Sequence, residues 1–284
     1  MMKELIIENK KKIKEKLNNE KYKSISKPHL VIIQVGDNNN SYINNIKITC
    51  EDVGINCSIY KYKENISTEK LKNIISRLSL DASVTAISIQ LPLPEHIDER
   101  TLIDEIDPIK DIDGVTCVQA GMLQLGLRDH RLDSPIVKSI LDLLPSVQGK
   151  NITIIGKNNP IEKVLVSILS EKNAIVTLCN FKAENKERYT QNSDIIILTT
   201  GLKNYFGVRY FYGNNKKIII HTGDLNIKLL DNKLKKFQIY EISEDLIITN
   251  LLNNICIAYD SQFDTIWKYH QYLIRNEFTN KKED

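Results

Sequence analysis

The sequence predicts an α/β protein of two domains. Three observations carry that expectation. Short apolar runs alternate with segments of helical periodicity, the alternation breaks between Pro145 and Gly149 and starts afresh, and the chain closes on one long helical pattern. In order, residues 3–18 read as an amphipathic, lysine-rich helix and Leu30–Val35 as a short apolar strand. Apolar residues at 43, 46, 50 and 53 recur at helical spacing, so 42–53 is a helix. Ser58–Tyr62 reads as a strand, Leu71, Ile74, Ile75 and Leu78 mark the next helix, and Val84–Gln90 is the next strand.

Pro135–Leu144 is the expected connecting helix, and Asn151–Gly156 the strand that opens the second domain. Ile161, Val164, Leu165, Ile168 and Leu169 share one helix face. Ala174–Leu178, Ser193–Thr199 and Lys217–His221 repeat the strand pattern, and Leu246–Thr249 is expected as a last short strand. The second domain is thus of Rossmann type. A single helix follows from about Ile255 to Phe278.

Composition narrows the class. The chain has 284 residues, 42% hydrophobic and 26% charged, which is ordinary for a globular protein with a sizeable core. Net charge is only +3, and lysines are mixed with acids along the chain, so no nucleic-acid-binding stripe is expected. The cysteines at 50, 57, 117, 179 and 256 are odd in number and unpaired in spacing, which argues against a disulfide framework and a structural zinc. The N-terminal residues lack the apolar core of a signal peptide, and no apolar run is long enough to span a membrane. A reduced, cytoplasmic protein without membrane partners is expected.

Chemistry concentrates in two motifs. Gln90-Leu91-Pro92-Leu93-Pro94 ends an apolar strand in a polar amide and a proline-broken turn, and Lys110-Asp111-Ile112-Asp113-Gly114 ends in an Asp-Gly turn. They would put an amide and a carboxylate at loop ends beside a sheet, where small-molecule sites form. Upstream stand Val35-Gly36-Asp37, Ser41-Tyr42 and Cys50-Glu51-Asp52-Val53-Gly54-Ile55. In order and spacing these motifs resemble the bifunctional methylenetetrahydrofolate dehydrogenase/cyclohydrolase (FolD) family over roughly the first half of the chain.

The resemblance implies a folate pocket in which Tyr42 stacks on the heterocycle, Gln90 tunes a catalytic lysine and Asp113 holds the pterin. It implies NADP bound by the loop Gly156-Lys157-Asn158, a homodimer, and a last helix that packs back on the first domain. Domain limits follow as 1–140, completed by 255–284, and 141–254. The residue types suit such a ligand, with an aromatic face for a flat ring and an amide and a carboxylate for its donor edge.

Several positions depart from the family pattern. The family lysine falls at Ile46, about 40° round the helix from Tyr42, whereas Lys47 lies about 140° round and faces away. The phosphate loop has Glu162 where the family has glycine, placing a negative charge where phosphate would approach a helix N-terminus. Ser134-Pro135-Ile136-Val137 lacks a family threonine. Asn250-Leu251-Leu252-Asn253-Asn254-Ile255 replaces a loop rich in glycine and proline. His221-Thr222-Gly223 stands where the family has an aspartate, and His221 reads as a strand-end or core residue. Two functions are therefore expected: the family chemistry, reduced or lost, or a non-catalytic folate-binding, regulatory or dimer-partner protein on the same fold.

Overall fold

Each apolar run seen in the sequence up to His221 forms a parallel strand. The computed structural model describes residues 2–19, 26–36, 41–127, 131–157, 159–199, 217–222 and 237–280, with side chains to 264. Asp37, Asn158 and Gly223, named above, lie outside the described residues. The first domain runs α1 (Met2–Leu17), β1 (His29–Val35), α2 (Ser41–Val53), β2 (Asn56–Tyr62), α3 (Thr68–Leu80), β3 (Ala86–Ile89), α4 (Glu99–Ile103) and α5 (Cys117–Gln124). There follow α6 (Pro135–Leu143), β4 (Asn151–Gly156), α7 (Pro160–Glu171), β5 (Ile175–Asn180), α8 (Glu187–Gln191), β6 (Ile195–Leu198), β7 (Ile218–His221), β8 (Gln238–Glu241) and α9 (Glu244–Asn280).

The first sheet has the order β2-β1-β3, all parallel. β1 is its centre and is buried on both faces. Leu30 and Ile32 enter one apolar cluster with α2, while Val31, Ile33 and Val35 enter another with α3. The second sheet has the order β5-β4-β6-β7-β8, also parallel throughout. In each sheet the order reverses beside the first strand, between β1 and β3 and between β4 and β6. Ligands of parallel α/β sheets bind beyond the strand ends at such points.

The C-terminal region differs from the sequence expectation. Leu246–Thr249, expected as a strand, belongs to the first turns of α9, and the helix expected from Ile255 begins at Glu244. The β-branched residues suggested a strand, but the local helix signals are stronger. The Ser243 hydroxyl accepts from the Leu246 amide at 3.3 Å, and Glu244 and Asp245 lie in the first turn, favourable to the helix dipole. No glycine or proline interrupts the segment.

α9 bridges the two domains. Leu246 joins the apolar cluster of the second domain, while Ile248, Leu251, Leu252, Ile255, Cys256 and Ala258 pack into that of the first. Two buried asparagines fix its position. The Asn250 amide donates to Ser139 and Asp142 on α6, each at 3.0 Å, and that of Asn254 to the carbonyls of Ile112 at 2.7 Å and Asp133 at 2.8 Å. Among the described residues, no helix is long and apolar enough to cross a membrane.

Candidate functional site

Asp113 lies beside β3 because the Lys110–Gly114 turn extends the sheet. Asp111 bridges Ile87, and the Ile87 amide donates to the Lys110 carbonyl at 2.9 Å. Gly114 closes the turn at φ +64°, and a side chain there would meet the Leu132 carbonyl oxygen at 2.3 Å, so the position needs glycine twice over. Lys110 serves the scaffold: its ammonium donates to the carbonyls of Asp81 at 2.7 Å and Leu78 at 3.3 Å, closing the end of α3. The buried Asp111 carboxylate accepts from the Val115 and Thr116 amides at 2.9 and 2.8 Å and holds the turn from within.

Asp113 itself accepts from the Ser88 hydroxyl at 2.7 Å. Burial, with some repulsion from Asp111, pushes its carboxyl up to about 7, against the Ser88 bond. The group thus keeps its proton well above the usual carboxylate range. Tyr42, on the first turn of α2, is half-buried against the first-domain core. Burial raises its phenol well above the usual tyrosine range, and the charges of Asp113 and Glu244 push the same way, so it stays protonated. Ser88 is thus paired with Asp113, and the charges of Asp113 and of Glu244, at the start of α9, reach Tyr42.

Gln90 follows β3 at the same sheet end, but its amide turns onto the adjacent Leu91 carbonyl at 2.8 Å. Ile46 is 2% exposed and belongs to the first-domain core with Leu30, Ile32 and Cys50. Lys47 is exposed, as its helical angle requires. Ile46 offers no ammonium, and the Lys47 charge acts on Cys57 of β2. Motif spacing alone missed Ser88 and Glu244. Ser88 carried a signal: it is polar within an apolar strand and two residues from Gln90, hence on the same sheet face.

In the second domain, Gly156 ends β4 and α7 begins just beyond. Asn159 caps that helix, accepting from the Glu162 amide at 3.3 Å, while Glu162 accepts in return from the Asn159 amide at 2.7 Å. Glu162 is 0% exposed. Its carboxylate also accepts from the Lys157 amide at 3.2 Å and from the Thr199 hydroxyl at the end of β6. A side chain at Gly156 would meet that carboxylate oxygen at 1.9 Å. A phosphate set against this loop needs its amides and the open space at Gly156, and Glu162 holds both, so the residues present do not fit it. His221 ends β7, buried in the sheet.

The molecule is thus an α/β protein in which a folate-type domain is joined to a Rossmann-like NAD(P)-binding domain. Residues 2–113 match the tetrahydrofolate dehydrogenase/cyclohydrolase catalytic domain, and 135–235 match its NAD(P)-binding domain. The bifunctional protein FolD of Mycoplasma mycoides is 36% identical over 198 residues, 68% of each chain. That of Clostridium acetobutylicum is 32% identical over 232 residues, 80% of this chain and 81% of its own. The crystal structure of FolD from Campylobacter jejuni superposes with a TM-score of 0.83 at 28% identity, covering 92% of this chain and 98% of that one. The chain belongs to the FolD family of one-carbon folate metabolism.

Proposed function

We propose that this protein keeps a pocket for a folate-type ligand while both family activities, the NADP-dependent oxidation of methylenetetrahydrofolate and the hydrolysis of methenyltetrahydrofolate, are reduced or lost. The observation that carries the reading is Ile46, buried in the core where the family pattern has lysine. In the proposed pocket Tyr42 offers an aromatic face, and Asp113, steadied by Ser88, accepts from the donor edge of a pterin. Gln90 faces the same sheet end and would leave Leu91 to meet a ligand. Water activation needs a group that can take or give a proton at the reacting carbon. Ile46 cannot, and the Tyr42 phenol is held protonated.

For the cofactor, Gly156, Lys157 and Asn158 are the positions that would meet NADP. Glu162 works against that binding. A family structure from Trypanosoma brucei carries NADP, but at 18% identity it supports only the fold. The reading places the domain division near residue 140, with the helix from 255 completing the first domain, and includes a cytoplasmic homodimer. Its second form is a non-catalytic folate-binding or dimer-partner protein, favoured by the simultaneous changes at Ile46 and Glu162.

The experiment is a spectrophotometric assay of methenyltetrahydrofolate formation with NADP and then NAD, beside a competent family member. Each misplacement of about 1 Å costs on the order of a hundredfold, so turnover should fall far below the control. Turnover within about tenfold of the control would overturn the reading, since two separate losses should each cost more than that. Titration with tetrahydrofolate by calorimetry separates the two forms: saturable binding without turnover identifies the binding protein.

A further inference from the structure

We propose that Glu162 is a built-in ligand of the phosphate loop, an internal carboxylate that takes the donors and the space a dinucleotide phosphate would use. The second domain then holds its loop closed with no cofactor. The inference rests on the family reading of this domain, but not on the fate of the folate chemistry in the first.

Helix N-termini favour anions because their first amides have no partner within the helix. Nucleotide-binding loops present those amides to a phosphate, and glycine lets the phosphate come close. Here a carboxylate from inside the same helix takes the loop amides just ahead of that helix. Glu162 accepts from the amides of Lys157 and Asn159 at 3.2 and 2.7 Å and from the Thr199 hydroxyl across β6. Its oxygen stands where a side chain on Gly156 would begin, at 1.9 Å.

An ordinary capping box explains only part of this. Such a box needs the reciprocal bonds between Asn159 and Glu162, and its carboxylate can stay in water. Glu162 is 0% exposed and reaches two further donors, one of them on a different strand. That is the pattern of a ligand enclosed by its site. The glycine has also kept its purpose with a new occupant: the carboxylate requires the missing side chain at 156 as a phosphate would. A dinucleotide could enter only if Glu162 swung out, breaking the cap of α7 and leaving two loop amides and a hydroxyl to be satisfied again. It would then face a displaced negative charge beside its own.

The test uses the full-length protein and NADP and NAD as probes. By calorimetry, wild type should show no saturable binding of either at millimolar concentration, whereas Glu162→Gly should bind NADP at least about tenfold more tightly than wild type. Circular dichroism checks that the variant folds. A micromolar Kd for wild type overturns the proposal, as does a folded Glu162→Gly protein that binds no better than wild type. Because the glycine variant also loses a helix cap, a second variant gives an independent readout. In Glu162→Gln one amide oxygen replaces two carboxylate oxygens, so the loop donors cannot all stay paired. Hydrogen exchange by NMR without cofactor should show the Lys157 and Asn159 amides protected in wild type, and at least one exchanging about tenfold faster in Glu162→Gln. Unchanged protection in that variant also overturns the proposal. Both measurements read the loop, so they can fail while the activity assay stands, and the reverse.

Discussion

At the sheet end of the first domain Ser88 donates to Asp113, and Ile46 is buried in the core. In the second domain the loop beyond β4 keeps its backbone donors and has gained a side chain that uses them. Both lie where the strand order of a parallel sheet reverses. The first change is a substitution into the core: Ile46 adds to an apolar stripe that already held Ile43, Cys50 and Val53. The second is a substitution into the site, with Glu162 satisfying groups that would otherwise wait for a ligand. The two substitutions predict different responses to mutation. Truncating the core residue should cost stability and return nothing, whereas removing the plug should cost some stability and return binding.

The largest effect is expected at Ile46. It is 2% exposed and lies in the core cluster that α2 shares with β1 and α9. Ile46→Ala should lower unfolding free energy by about 2–4 kcal/mol, through lost burial and the cavity left behind. Urea denaturation followed by circular dichroism measures it. A loss below about 1 kcal/mol would mean that residue 46 borders an open cleft, and the contrast between the domains would weaken.

Most of the scaffold was legible because burial on both faces of a parallel strand leaves continuous apolar runs. The stripe announced for α3 is buried at Leu71, Ile75 and Leu78 and partly buried at Ile74. The failure at Leu246–Thr249 has a physical cause. Four apolar and β-branched residues suit a strand or a buried helix equally, and tertiary packing decided. The signal that resolves it, Ser243 followed by two acids, lay in the three residues just before the run. For the site, motif spacing singled out Tyr42, Gln90 and Asp113. The pairing of Ser88 with Asp113 and the reach of the Glu244 charge to Tyr42 were not visible there, since these residues lie far apart in the sequence.

A smaller effect separates the cleft from the loop by pH. Asp113 is raised from 3.8 to about 7, chiefly by burial. Between those values the unfolded chain has released a proton that the native chain keeps. The unfolded state then binds fewer protons, so this group's contribution to stability falls as pH rises from about 4 to about 7 and is level above. Asp113→Asn keeps an acceptor for Ser88 but removes the titration. It should be more stable than wild type at pH 8 by about 1–3 kcal/mol, discounted from the full shift because the residue keeps some contact with water. Its gain should shrink as pH falls towards 4. Thermal unfolding across that range is the measurement, and a gain independent of pH would show that the carboxyl is not the titrating group.

The smallest effect is expected at Lys47, and it bears most directly on whether a lysine still serves the cleft. The residue is adjacent to the family position but one helical step round, and it is exposed. An exposed lysine on a helix surface should tolerate truncation, so Lys47→Ala should change stability by no more than about 0.5 kcal/mol. Any residual cyclohydrolase turnover should be unchanged. The charge does reach one group. Cys57 has its thiol lowered from the usual range first by a hydrogen bond from Cys50 and then by Lys47, with burial opposing. Without Lys47 the Cys57 thiol should ionise less readily and react more slowly with iodoacetamide, by roughly twofold, since water and salt screen an exposed charge. Slower alkylation with unchanged turnover would place the ammonium on the β2 side of α2, away from Asp113. A tenfold or greater loss of turnover, with stability intact, would instead return Lys47 to the cleft and restore a proton-transfer group to the first domain.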